Sequence, residues 1–281
     1  MMNKELIDKI IEFVSSKPRA IQEVALLIKK NWRTADRYIK NIATETGLID
    51  VRTFREGTRG ALKVVYANVL PIKGSACQEK LFQKILQGKN KDDFSPFDIY
   101  QFVSNEKRKG FLEKKEYSMH PDIKYDQLLR KANHQILFFS GNMSWVELGP
   151  DNIILKQIEE LAKKKISIKI LTRVNITSRK NTEKILAINH RVGWDAIEIR
   201  HAEQPLRAII IDDKLANLKE VLTPDIYRPY ELKQRIFMFY LIEDPQWITW
   251  LQRVFWHIFN QSIDAQSRLS ALDSALDIIK K

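Results

Sequence analysis

Residues 201–218 read HAEQPLRAIIIDDKLANL. An apolar run ends in Asp212-Asp213-Lys214, and a second apolar stretch follows. This spacing predicts two short strands, 207–213 and 216–221, joined by an acidic turn into an antiparallel hairpin. Outward from the hairpin the same grammar repeats. QILFFSGN predicts a strand ending near Gly141, and ISIKILTR, AIEIR and RIFMFYLIE predict strands at 166–173, 196–200 and 235–243. Between them, 150–165 and 178–190 carry helical spacing, with Pro150 near a first turn and lysines at the end of the first helix. A long apolar-rich helix is expected over 247–262. Strands alternating with helices predict an α/β sandwich over 136–262 with a mostly parallel core.

The first seventy residues follow another rule. Leu6, Ile7, Ile10, Ile11 and Val14 share one helical face, and Pro18 ends that signal. A second helix is expected over 20–30 on Ile21, Val24, Ala25 and Ile28. A third runs from about Asn31 to Thr46 on Ala35, Tyr38, Ile39, Ile42 and Ala43, with Gly47 as its stop. Alternation in 48–55 and 62–67 around Gly57 and Gly60 then predicts a hairpin. Three short helices followed by a hairpin is the layout of a winged helix-turn-helix, here residues 1–73.

Charge sharpens that reading. The chain of 281 residues has a formal net charge of +12, which favours polyanionic partners. Residues 1–73 hold 14 Lys/Arg against 8 Asp/Glu, so about a quarter of the chain carries half of the excess. The polar face of the third helix bears Arg33, Thr34, Arg37 and Lys40, and the hairpin bears Arg52, Arg55, Arg59 and Lys63. A helix entering the major groove reads base edges with its early residues, while cations on a wing meet phosphates. The expected partner is double-stranded DNA. A winged helix that binds protein is the competing reading.

Residues 74–135 are expected to form a helical connector. Helices are predicted near 76–87, 96–104 and 125–134, and the basic run EKRKGFLEKK at 106–115 reads as a solvated helix end or loop. From Asp264 the tail places Ala265, Leu269, Leu272, Leu276 and Ile279 at heptad steps. Over 263–281 this predicts a helix that either pairs with a second copy or packs on its own domain. The single cysteine, Cys77, fits a reducing compartment. No apolar run reaches the roughly 20 residues of a membrane span. A cytoplasmic location without membrane contact is expected.

The 201–218 segment resembles the strand-turn-strand of phospholipase D-type hydrolases, which carry His-x-Lys-x-x-x-x-Asp there. In the matching phase stand Pro205, Arg207 and Asp212. The acid is present, the cation is changed and the nucleophile is absent, since proline neither attacks phosphorus nor accepts a proton. None of the five histidines begins a His-x-Lys motif, and His201 lies out of phase. Asp212 and Asp213 read as turn formers. No metal cluster, phosphate-binding loop or nucleophile elbow occurs, so no cofactor or metal is expected.

A winged helix joined to a degenerate phospholipase D-like domain resembles the TrmB family of archaeal transcriptional regulators. ILFFSGNMSW…ISIKILTR, AIEIRHAEQPLRAIIIDDKLANL and RIFMFYLIEDPQWITWLQRVFWHIF carry the likeness. The resemblance implies a non-catalytic cytoplasmic DNA-binding regulator and a homodimer, because a single phospholipase D-like half tends to pair with a copy of itself. Some members sense sugars and others are chromatin-like repressors without a known ligand; the small-molecule effector here is unassigned. A phospholipase D-like nuclease or phosphodiesterase with substituted residues is the alternative. Trp145 is expected where a pocket opens, and Trp247, Trp250 and Trp256 in the core or a dimer interface.

Overall fold

The structure, a computed structural model, describes residues 4–16, 18–55, 61–67, 75–226 and 232–279. The chain divides into two compact units, Met1–Lys73 and Gly74–Lys281.

The first unit runs α1 (Lys4–Ser16), β1 (Arg19–Ala20), α2 (Ile21–Leu27), α3 (Trp32–Thr46), β2 (Ile49–Arg55) and β3 (Ala61–Ala67). The three strands form an antiparallel sheet in the order β1-β3-β2. Its core gathers Ile10 and Val14 of α1, Ile21, Val24 and Ala25 of α2, Ala35, Ile39 and Ile42 of α3, and Ile49 and Val65 of the hairpin. These are the apolar faces that helical spacing marks, and burying each branched side chain contributes about 1.5–3 kcal/mol. Helix α2 is shorter than expected. Lys29 takes a positive φ of 53°, and the Lys30 amide donates to the Ala25 carbonyl, so the last basic residues form a turn. Gly47 ends α3 at φ 62°, a left-handed position that glycine fills without strain. Strand β1 has no pattern of its own; two residues pair with Val64 and Val65 of β3.

The second unit contains α4 (Ala76–Gln87), α5 (Phe97–Tyr100), β4 (Arg108–Glu113), α6 (Tyr125–Arg130), β5 (Gln135–Phe139), α7 (Ile153–Lys163), β6 (Ser167–Thr172), α8 (Arg179–Val192), β7 (Ile197–His201), β8 (Ala208–Ile211), β9 (Leu215–Leu222), β10 (Ile236–Ile242), α9 (Pro245–Gln261), β11 (Ile263–Asp264) and α10 (Ala265–Ile279). The eight strands form one sheet in the order β11-β7-β6-β5-β8-β9-β10-β4. Only β5, β6 and β7 run parallel; every other neighbouring pair is antiparallel. The expected mostly parallel core is therefore a mixed sheet. Helices α7 and α8 supply the two crossovers that parallel pairing demands, whereas β8, β9 and β10 follow one another without an intervening α-helix.

Two expectations for the flanks change. Residues 74–135 are not wholly helical: Arg108–Glu113 pair with β10 as the sheet's edge strand. Three cations of the basic run there also find partners within the unit. The Arg108 guanidinium donates to the Tyr100 carbonyl at 2.6 Å and covers the Tyr100 ring, while Lys107 and Lys109 pair with Asp244 and Asp122. In the tail, Ala265 and Leu269 are buried in the unit's own core and Leu272 packs against it. That half of the heptad seam faces inward; the side chains of Leu276 and Ile279 lie outside the described residues.

The sheet is covered on both faces. Helices α6, α7, α8 and α10 pack with Phe138, Ile170 and Ile209 on one side. Helix α9 packs on the other, where the Phe139 and Phe255 rings meet edge-on at 5.2 Å. Trp250 and Trp256 are buried in α9, so they are core residues of this unit.

Candidate nucleic-acid interface

Helix α3 is amphipathic, with Ala35, Ile39 and Ile42 turned inward. Its N-terminus is capped by Asn31, whose side chain accepts the Thr34 amide hydrogen at 2.9 Å. Thr34 is half-buried, so it sits at the margin of the exposed face. Arg33 and Arg37 are exposed, one helical turn apart. Each guanidinium lies beside its neighbour's ring, Arg33 at 5.6 Å from Trp32 and Arg37 at 5.7 Å from Tyr38. Neither forms an ion pair with a described residue.

Lys40 and Lys63 are differently placed. Both hold the carboxylate of Asp36, at 3.1 Å and 2.7 Å. Burial pushes the Asp36 carboxyl up, but hydrogen bonds from Lys63 and Lys40 and their charges hold it below the ordinary carboxylate range. Lys40 and Lys63, two of the four cations expected to act mainly on phosphates with Arg55 and Arg59, therefore share one internal counter-charge. Lys63 is half-buried and fastens β3 to α3.

The strand cations do not share a face either. Thr53 pairs with Lys63 and Arg52 with Val64, and side chains alternate along a strand. Arg52 is exposed on the face opposite Lys63. The side chain of Arg55 and all of Arg59 lie outside the described residues.

Three exposed residues complete this surface and were not singled out by charge. Asn41 stands one turn beyond Arg37, and Thr44 follows on the same side. Asn41 carries both a donor and an acceptor, the chemistry that pairs with an adenine edge. Its i+4 spacing from Arg37 was the available signal. Trp32, about half exposed, is the third.

The segment 201–218 has a structural role. Asp212 is buried, and its carboxylate accepts the backbone N–H groups of Asn133, His134 and Gln135, all at 2.9 Å, and pairs with Lys214 at 3.2 Å. It does more than form the turn, which it enters at φ 50°: it fixes the start of β5. Burial opposes its charge, yet these hydrogen bonds hold its carboxyl below the ordinary range. Pro205 packs on Gly88, where even a Cβ would come within 2.8 Å of its ring. His201 accepts the Val174 amide hydrogen on Nδ1 at 2.9 Å. Burial, then Arg268 and Arg173, push its imidazole below the ordinary range against the pull of Glu203.

Arg207 reaches a cavity of about 350 Å3, which Trp145 also lines; Pro205, His201 and Asp212 do not. Among the described residues the cavity wall contains no histidine or cysteine. Among the described residues no cluster of three or more His, Cys, Asp or Glu is placed to hold a metal, and no helix is long and apolar enough to cross a membrane.

No protein-family model and no curated protein sequence matches this chain. Among solved structures it is similar to a phospholipase D family member, Nuc from Salmonella typhimurium, at 14% identity and a TM-score of 0.41, covering 56% of this chain and 97% of that one. It is similar to TrmBL2, an archaeal chromatin protein whose structure shows a novel mode of DNA binding, at 14% identity and a TM-score of 0.40, covering 93% and 94%. NucT from Helicobacter pylori matches at 13% identity and a TM-score of 0.38, covering 56% and 99%. At such scores the overlap selects none of these functions for this chain.

Proposed function

We propose that residues 1–73 form a winged helix-turn-helix that binds double-stranded DNA, and that the chain is a non-catalytic transcriptional regulator acting as a homodimer. The observation that carries this reading is the exposed face of α3, where Arg33, Arg37 and Asn41 follow at one residue per turn and neither arginine is neutralised by a described carboxylate. Asp36, by contrast, is retained on the flank to hold the hairpin strand against the helix. One such helix reads only a few base pairs, so two copies on a two-fold symmetric site supply the discrimination that one lacks. Sedimentation of the full chain should give a dimer.

Arg37→Ala should weaken binding to the preferred duplex by about 1–3 kcal/mol in a mobility-shift titration. Affinity should also fall steeply with salt, because phosphate contacts release counterions. A wild-type salt profile that is flat, or an Arg37→Ala variant with unchanged affinity, overturns the assignment. No hydrolytic role is proposed: Asp212 spends its lone pairs on backbone amides, and His201 spends Nδ1 on Val174. Wild type and His201→Ala should both be inert in a phosphodiesterase assay.

A further inference from the structure

We propose that strand β4, the open edge of the second unit's sheet, pairs antiparallel with the same strand of a second copy and joins two eight-stranded sheets into one. The inference rests on the homodimer reading and names the surface that makes the dimer; it does not depend on DNA binding.

β4 ends the strand order, so one side of it is unpaired among the described residues. The register shows which groups point out of the sheet. The Glu243 amide donates to the Lys107 carbonyl at 2.8 Å, one step beyond the pairing of Arg108 with Ile242. In an antiparallel ladder, residues that bond to the neighbour alternate with residues that point away. Lys109, Phe111 and Glu113 therefore bond to β10, while the N–H and C=O groups of Gly110 and Leu112 point to the open side. Both residues are exposed, Leu112 at 59%. Met119, exposed at 70%, adjoins His120, whose ring rests on Phe111 at 4.5 Å. An unpaired edge with exposed apolar side chains is a surface that folded proteins normally cover.

The charge pattern selects a second copy as the occupant. Outward-pointing residues bond only to one another, so the register shifts only in steps of two. With Gly110 facing its own counterpart, Lys107 of one copy stands opposite Glu113 of the other, and Glu106 opposite Lys114. Lys109 then faces Phe111, Arg108 faces Leu112, and no like charges meet. A shift one way sets Arg108 against Lys114 and Lys107 against Lys115; a shift the other way sets Lys109 against Lys109. Like charges directly opposite destabilise a strand pair, and opposite charges support it. Residues 106–114 are thus complementary to themselves in one register. The groups are available for it. Lys107 is half exposed and holds Asp244 only at 3.7 Å, and Glu113 accepts the Ser118 hydroxyl on Oε1, which leaves its other oxygen for a lysine.

Two measurements on the full chain test this. In a Cys77→Ser background, Lys107→Cys combined with Glu113→Cys should give a disulfide-linked dimer under mild oxidation, because directly opposite side chains lie about 4.5–5.5 Å apart. Either change alone should not link the copies, since like positions then lie about 20 Å apart along the strand. In sedimentation, Leu112→Pro removes an outward N–H, which an edge strand tolerates, and should raise the dimer's dissociation constant about tenfold or more. Should that variant misfold, Glu113→Lys sets like charges opposite Lys107 and should have the same effect. A wild-type chain that sediments as a monomer overturns this proposal together with the homodimer reading. A folded variant that dimerises with wild-type affinity, or a double variant that fails to cross-link, overturns the edge pairing alone and leaves the homodimer to another surface.

Discussion

Lys63 on β3 places its ammonium 2.7 Å from the carboxylate of Asp36 on α3, across 27 residues of sequence. The same carboxylate holds Lys40. On the proposed function, a residue whose charge opposes DNA binding thus also fastens the hairpin strand to the helix. Asp36→Asn should release both lysines. On the proposed function, DNA affinity then rises and the salt slope steepens by about one to two phosphate contacts. Because both pairs are partly exposed, the loss of stability should stay within about 1 kcal/mol. A slope identical to wild type in salt-series mobility shifts would refute the released-lysine account.

Asp212→Ala should destabilise the second unit by about 2–4 kcal/mol, because three backbone donors lose a charged acceptor at once. Asp212→Asn, which keeps one oxygen, should fall between. The carboxyl is held below its ordinary range in the fold, so its contribution is complete above the unfolded value near 4 and is lost as pH falls through the folded value. Denaturant midpoints measured from pH 7 downward should decline more steeply for wild type than for Asp212→Asn.

His201 titrates in the opposite chemical sense with the same sign. Its folded value is depressed, so the neutral ring's contribution is full above the unfolded value near 6.5 and fades as pH falls toward the folded one. Protonating Nδ1 would also set two donors, the ring and the Val174 amide, against each other. His201→Asn offers an acceptor that does not titrate and should flatten the stability profile between pH 7 and pH 5. A variant profile that parallels wild type would remove His201 as the sensor.

Leu269→Ala should cost about 2–5 kcal/mol, since it empties a buried core position. Sedimentation of the folded variant should show the same assembly as wild type, because this seam faces inward. A shift from dimer to monomer at unchanged stability would mean that α10 pairs between copies after all.

The sequence by itself determined the elements whose period is local. The helix faces of α1, α2 and α3, the stop at Gly47, the hairpin at 49–67 and the strand-turn-strand around Asp212 follow from spacing and from what glycine and aspartate do at chain reversals. It also placed Trp145 at the cavity and named Arg33 and Arg37, which are exposed on α3. What only the tertiary structure decided is partnership. Two of the expected phosphate-binding lysines converge on Asp36, Arg52 and Lys63 part to opposite faces of a strand, and a basic run becomes the edge strand β4. Asp212 clamps amides 77 to 79 residues away, and Arg207 comes to rest on Gly141. A charge in a sequence has no neighbour until the chain closes on itself. Whether it stays open to a ligand therefore depends on contacts that no local period encodes.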